Sequence, residues 1–447
     1  MPTLVIVGAQ WGDEAKGKLV DVLGEQSDLV VRYSGGNNAG HTVIVGQEEY
    51  KFHLIPAGIL HPNVTAILGS GMVVCPKGLL EELDRTVAQH TFGPHDNSPW
   101  DERTRRELGT LKVSSGAHLV FPYHRMLDRL EEEARGENKI GTTSRGIGPA
   151  YQDKVARFGI RMSEFVRPEI FRTRLKEVVS YKNRLLEMFG EAPVDFTTLY
   201  DEYAKYAERI APFVCDTDVL VQEAVAQGKR VLFEGAQGAL LDLDSGTYPY
   251  VTSSHPVAGG ACLGTGVGPR AIDSVLGVCK AYATRVGSGP FPTELLDDVG
   301  EWIRQHGKEY GTTTGRGRRC GWLDLVALRY SCRLNSLSGL VVTRLDILSG
   351  FEKVKCATSY DLDGQRIQHV PADVHDFARV QPVLEERPGW SGDLRGARKL
   401  SDLPAEARDY LDHMADYTGT PVAVVSVGPA RDETIIVRPE LIWGSGR

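Results

Sequence analysis

Short apolar runs that stop at a glycine or a polar turn recur along this chain. Residues 4–7, 29–31, 231–233, 340–342 and 422–425 are each aliphatic or β-branched, with Phe233 the one aromatic, and they lead into Gly8, Gly35, Gly235, Thr343 and Ser426. Runs this short, apolar at every position instead of every second one, predict strands buried on both faces, as in a parallel sheet. Between them the period changes. In residues 162–189, Phe165, Phe171, Leu175, Val178, Leu185 and Met188 recur among charges at helical spacing, and residues 81–88, 127–134 and 219–226 repeat the pattern. Strands interleaved with helices predict an α/β fold with a large, mostly parallel central sheet flanked by helices. Residues 91–115 are polar and carry Gly93, Pro94 and Pro99, which reads as a surface insertion; residues 379–403, with Pro382, Pro388, Gly389 and Gly392, read as a second surface excursion. No internal repeat or low-complexity segment interrupts the chain, so residues 1–447 read as a single domain with helical and loop excursions.

In open α/β sheets, ligands bind at the carboxyl ends of the strands, which is where this chain concentrates its glycine loops. After the first run comes Gly12-Asp13-Glu14-Ala15-Lys16-Gly17-Lys18. The GxxxxGK spacing predicts a phosphate-cradling turn, and with it a P-loop-NTPase-like sheet. Leu19 replaces the usual metal-binding hydroxyl, and two carboxylates stand where phosphate would be repelled. That conflict resolves if a carboxylate binds a metal ion or acts as a base on a substrate beside the nucleotide. Taken alone, the stretch is equally readable as an acidic helix start.

Five further loops share this chemistry. Asn38-Ala39-Gly40-His41-Thr42 closes a glycine-rich turn, and small neighbours leave the histidine ring uncovered. Residues 141–149 combine Thr142, Thr143 and Ser144 with Arg145, and Arg157 follows closely. Gln237, in the loop after Glu234, offers both a donor and an acceptor to a base edge. Thr312-Thr313-Thr314-Gly315-Arg316-Gly317-Arg318-Arg319 sets three arginines within four positions, an arrangement that oxyanions relieve. Thr343-Arg344-Leu345-Asp346 resembles the guanine-reading element of GTP-binding proteins, in which a carboxylate accepts from two donors that adenine lacks; Ser426-Val427-Gly428 would supply a facing wall. Each loop alone is also an ordinary turn. Together, all at strand ends, they point to anions and a purine.

Composition narrows the partners. The chain is 41% hydrophobic and 25% charged with a net charge of −8, which gives no electrostatic reason to expect nucleic acid or an acidic membrane. No apolar run nears the ~20 residues of a membrane span, and the start carries no basic leader. Seven scattered cysteines without a CxxC pair suit free thiols in a reducing cytoplasm and argue against structural zinc.

The motifs Trp11 to Lys18, Asn38 to Thr42, Lys51-Phe52-His53-Leu54-Ile55-Pro56, Arg145-Gly146-Ile147-Gly148-Pro149-Ala150-Tyr151, Tyr248 to Ser254, Thr312 to Trp322 and Arg344 to Asp346 occur in that order along the chain. In these motifs the sequence resembles the adenylosuccinate synthetase family. The resemblance implies GTP-dependent ligation of L-aspartate to IMP through a 6-phosphoryl-IMP intermediate, the first committed step of AMP synthesis. It implies Asp13 as base, with His41, Lys16 and Gln237 also catalytic, and Mg²⁺ held by Asp13 and the Gly40 carbonyl. Gly12, Asp13, Glu14, Ala15, Lys16, Gly17, Lys18, Gly40, His41, Thr42, Arg318, Arg344, Leu345, Asp346, Ser426, Val427 and Gly428 would contact GTP. Asp13, Glu14, Ala15, Lys16, Asn38, Ala39, Gly40, His41, Thr143, Arg157, Gln237, Thr252 and Arg316 would contact IMP. Thr312, Thr313, Thr314, Gly315, Arg316, Gly317 and Arg318 would close on aspartate. Arg157 would reach the neighbouring site of a homodimer. Ala15, Gly317 and Arg344 depart from the family's usual residues. Two rival readings are a paralogue using another purine nucleotide or amino donor, and a GTP-binding regulatory switch.

Overall fold

The computed structural model describes residues 2–45, 48–90, 108–311, 315 and 317–444. Ten strands, numbered in chain order, form one sheet: β1 (Thr3–Gly8), β2 (Leu29–Arg32), β3 (Thr65–Leu68), β4 (Thr110–Ser114), β5 (Val214–Cys215), β6 (Val231–Glu234), β7 (Ser274–Lys280), β8 (Gly339–Thr343), β9 (Val422–Ser426) and β10 (Thr434–Ile436). Their lateral order is β10-β9-β8-β7-β1-β6-β2-β3-β4-β5. Every neighbouring pair is parallel except β9 with β10. All five apolar runs are strands of this sheet, and the predicted fold class stands.

Alternation across the pleat explains the continuous apolar runs. Leu4 and Ile6 join one core cluster while Val5 and Val7 join another, so β1 buries side chains against layers on both faces. With β1 at the centre, the loops after β1, β2, β6, β7, β8 and β9 emerge along one edge of the sheet.

The excursions needed correction. Of the segment 91–115, residues 91–107 lie outside the described residues, but Thr110–Ser114 is β4, with Leu111 and Val113 buried. Its alternating Thr-Leu-Lys-Val-Ser pattern hides a strand among polar neighbours. Residues 379–403 are mostly exposed, as expected, yet they are not a free loop: Gln381–Pro388 pairs antiparallel with Lys353–Leu362, and Trp390, Leu394, Ala397 and Leu403 are buried. Pro382 and Pro388 stand near the start and at the end of that strand instead of marking a free loop. Residues 162–189 form two helices, Met162–Phe165 and Pro168–Met188, because Pro168 fits a first helical turn but not a helix interior. Cys75, Cys279, Cys320, Cys332 and Cys356 are buried free thiols, as expected. No helix among the described residues is long and apolar enough to cross a membrane.

Candidate active site

The glycine loops meet around one cavity of about 800 Å³, near the upper end for small-molecule sites. Between β1 and helix α1 (Lys16–Gly24) the backbone takes left-handed values at Gly12 (φ 88°), Asp13 (φ 61°) and Ala15 (φ 67°). Glycine tolerates that region; alanine does not, so Ala15 carries backbone strain of about 1 kcal/mol. What stabilises the turn is Glu14. Its buried carboxylate accepts the Gln10 and Gly12 N–H groups at 3.1 and 2.8 Å and pairs with Lys16 Nζ at 2.6 Å, and Thr343 Oγ1 donates to its carbonyl at 2.9 Å. The Glu14 side chain is therefore engaged within its own loop, off the cavity wall. Asp13, in contrast, lines the cavity with its carboxylate partly open, and Arg318 Nε lies 3.0 Å from its Oδ2.

His41 opens the hairpin strand His41–Val45, paired with Glu48–Phe52. A β-carbon on Gly17 would fall 2.8 Å from His41 Cβ, so the second glycine of the turn is the space the histidine occupies. Its Nε2 lies 3.6 Å from Glu234 Oε1. Burial first, then Arg32, His53 and Lys16, hold His41 well below its ordinary value, and burial pushes Glu234 up to about 7. The ring is thus neutral at neutral pH. Arg32 donates to the Gly36 carbonyl at 3.3 Å and so braces the loop leading to Gly40.

The backbone of Gln237 lies against Gly12, its amide is buried, and neither the amide oxygen nor the nitrogen has a partner among the described residues. An unsatisfied amide lining a cavity is costly unless a ligand completes it. Asn38, Ala39, Thr42, Thr143 and Thr252 also line the cavity.

Arg318 is fixed from behind. Its Nη1 donates to Glu309 Oε2 at 2.5 Å, and the fully buried Glu309 also receives Lys280 Nζ at 2.7 Å and Tyr282 OH at 2.5 Å. Burial would raise the Glu309 carboxyl, but Lys280, Arg318 and Arg344 outweigh it and hold it at about 2. Arg318 N–H donates to the Glu309 carbonyl at 2.9 Å, closing the base of the loop that carries Gly315 and Gly317. Thr312, Thr313, Thr314 and Arg316 lie outside the described residues.

At the far end, Arg344, Ser426 and Gly428 line the cavity, and Arg344 adopts φ 62° ahead of Asp346. Asp346 Oδ1 has no hydrogen-bond partner among the described residues, and burial raises this carboxyl. Leu345 and Val427 are core residues, able to meet a ligand only through their backbones. Arg157 ends helix Ile147–Ala156 exposed and off the cavity wall.

Residues of the loops at 12–18, 38–42, 141–149, 237, 318, 344 and 426–428 line this one cavity. The chain matches the family model described as adenylosuccinate synthetase over residues 5–435. The chain belongs to the adenylosuccinate synthetase family. The adenylosuccinate synthetase of Carboxydothermus hydrogenoformans is 54% identical over 438 residues, covering 98% of this chain and 99% of the relative. That of Streptococcus gordonii is 50% identical over 446 residues, covering 100% of both. The solved structure of the fully ligated enzyme from Plasmodium falciparum superposes with a TM-score of 0.90 at 36% identity, covering 98% of this chain and 100% of that one. A cyanophage S-2L succinoaminodeoxyadenylate synthetase, 19% identical with a TM-score of 0.58 over 97% of this chain and 95% of that one, shares the fold. The family is a GTP-dependent ligase that joins aspartate to IMP in AMP biosynthesis, and this is the activity of the chain.

Sequence reading missed Arg32, Glu234, Lys280 and Glu309. The first three share a signal that was available: each is the charge that ends a buried strand, in LVVR, VLFE and SVLGVCK. A charge at the carboxyl end of a strand buried on both faces has to meet a counter-charge or a ligand.

Proposed function

We propose that the ligation proceeds through a 6-phosphoryl-IMP intermediate, with Asp13 as the base that makes the first step possible. The observation that carries this reading is a partly open carboxylate inside a phosphate-type turn, facing the same cavity as His41 and the unsatisfied amide of Gln237. Asp13 takes the N1 proton of the hypoxanthine ring, and the 6-oxygen attacks the γ-phosphorus of GTP as the β–γ bond breaks, releasing GDP. The aspartate amine then adds at C6 and phosphate leaves. His41 faces the phosphates. GTP brings negative charge that raises its depressed proton affinity, so it can donate toward the departing β–γ bridge.

The Gln237 amide and Asn38, Thr143, Thr252 and Arg316 hold IMP. Backbone N–H groups from Gly12 to Lys18 with Gly40 to Thr42 hold the GTP phosphates, and Arg344 to Asp346 with Ser426 to Gly428 frame guanine. The loop from Thr312 to Arg318 closes on the carboxylates of L-aspartate. Arg157, exposed and outside the cavity, serves the neighbouring site of a homodimer. Seven free thiols suit a cytoplasmic setting.

Magnesium fits this donor set. The ion takes one or two carboxylates plus substrate phosphates and water instead of an all-protein cage, and the described residues present the partly open Asp13 carboxylate in the phosphate-type turn and no cluster of three ligating side chains. Mg²⁺ held by Asp13 and the Gly40 carbonyl would neutralise charge on the phosphates as it develops.

The test is turnover with GTP, Mg²⁺, IMP and aspartate, each omitted in turn. Adenylosuccinate absorbance only in the complete mixture, with positional isotope exchange in GTP that needs IMP but not aspartate, is the expected result. Exchange that requires aspartate would remove the phosphorylated intermediate.

A further inference from the structure

Lys18 occupies the lysine position of GxxxxGK, yet its ammonium does not face the phosphate turn. All three of its donors go to the loop after β9: Nζ lies 2.8 Å from Ser426 Oγ, 2.7 Å from the Gly428 carbonyl and 2.9 Å from the Glu433 carbonyl. Lysine has three donors and no more. Ser426 Oγ in turn donates to the Gly428 carbonyl at 3.1 Å, and Val427 N–H donates to the Glu433 carbonyl at 3.0 Å, so residues 426–433 close into a loop around the ammonium. Burial, the main influence on Lys18, lowers it to about 8, with Glu433, Asp346 and Asp432 working in the other direction. One turn further along α1, the buried Asp21 receives Arg431 Nη2 at 2.5 Å and also its Nε. Positions three apart share a helix face, so that face holds the loop at two points.

We propose that the Lys18 side chain is a tether for the guanine-binding loop instead of a phosphate ligand, a positioning group that with the Asp21–Arg431 pair sets affinity for the base. The proposal rests on the reading that Ser426 to Gly428 frames guanine. By turning the carbonyls of Gly428 and Glu433 toward α1, the tether fixes which groups of the loop face the base. It also joins the base wall to the helix whose first turn is the phosphate loop.

The experiment is displacement of a fluorescent GTP analogue, in Mg²⁺ buffer, by two probes: guanosine, which has a base and no phosphate, and tripolyphosphate, which has the reverse. Lys18→Met should raise the guanosine competition constant about tenfold, the scale of a lost charge-assisted contact, and shift tripolyphosphate by no more than about twofold. Arg431→Leu, which cuts the second attachment without touching Lys18, should also weaken guanosine selectively and carries the test if Lys18→Met does not fold. Weakened tripolyphosphate with unchanged guanosine would make Lys18 a phosphate ligand and overturn the proposal. Equal weakening of both probes, or of neither, would overturn it too. Guanosine failing to displace the analogue from the unsubstituted protein would instead remove the base-site reading beneath it.

Discussion

Arg318 Nε stands 3.0 Å from Asp13 Oδ2, so the proposed base already holds a counter-charge before any substrate arrives. Asp13→Asn preserves the shape and removes the proton acceptor. It should lower kcat by about 10³-fold or more while GTP affinity changes little. Isothermal titration with GTP beside the adenylosuccinate assay separates the two, and turnover above a tenth of the original would exclude Asp13 as base.

Glu309 gathers Lys280, Tyr282 and Arg318 in a site closed to water. Its carboxyl is depressed from 4.5 to about 2, so its stabilisation is fully present above pH 4.5 and is lost as pH falls toward 2. The linked contribution is on the order of 3 kcal/mol. Glu309→Gln strands two buried cations and should destabilise the protein at neutral pH by about 3–5 kcal/mol. Its urea midpoint should also fall less steeply between pH 4.5 and 2 than that of the parent. Parallel pH profiles would count against this assignment.

Gly17→Ala should improve helix propensity in α1 and still harm the enzyme. The new methyl would start 2.8 Å from His41 Cβ, and displacing a catalytic ring by about 1 Å can cost about 100-fold. A drop in kcat of at least about tenfold with near-parental thermal stability is the expected pair of results. Unchanged kcat would mean the histidine position is not critical.

Asp346 keeps one oxygen without a hydrogen-bond partner among the described residues. If that carboxylate reads the two donors of guanine, Asp346→Asn should weaken GTP by about 2 kcal/mol and improve XTP, since the amide now offers a donor to the second oxo group. Steady-state comparison of GTP and XTP gives the answer, and an unaltered preference would reassign the residue.

Ala15 sits at φ 67°. Ala15→Gly should relieve about 1 kcal/mol of strain, less a few tenths for the freer unfolded chain, and raise the urea midpoint with m unchanged. A lower midpoint would show that the alanine methyl contributes packing that outweighs the backbone cost.

The parts of the fold that the sequence revealed were those with one dominant period. β1, β2, β6, β8 and β9 are uninterrupted apolar runs before a loop, and each was placed. β4 was not, because Thr110, Lys112 and Ser114 alternate with Leu111 and Val113 in a strand near the sheet edge. The loops that line the cavity stood out because glycine, hydroxyl and arginine concentrate there. What supports them was not: Glu309 braces Arg318 from nine residues away in sequence, and Lys18 reaches a loop more than four hundred residues on. A single sequence carries no signal for such pairings; only the folded chain brings the partners together.

β1 shows what this topology asks of a growing chain. Its two neighbours are β6 and β7, so Thr3 pairs with Val231 and Leu4 with Ser274. At roughly 5–20 residues per second, the ribosome leaves that mostly apolar ribbon without its lateral partners for on the order of ten seconds to most of a minute. A strand made before both of its neighbours is thus among the last to be secured. A nascent chain halted before residue 231 would present an adhesive edge to any other unfinished copy, which makes protection during synthesis a requirement of the strand order itself.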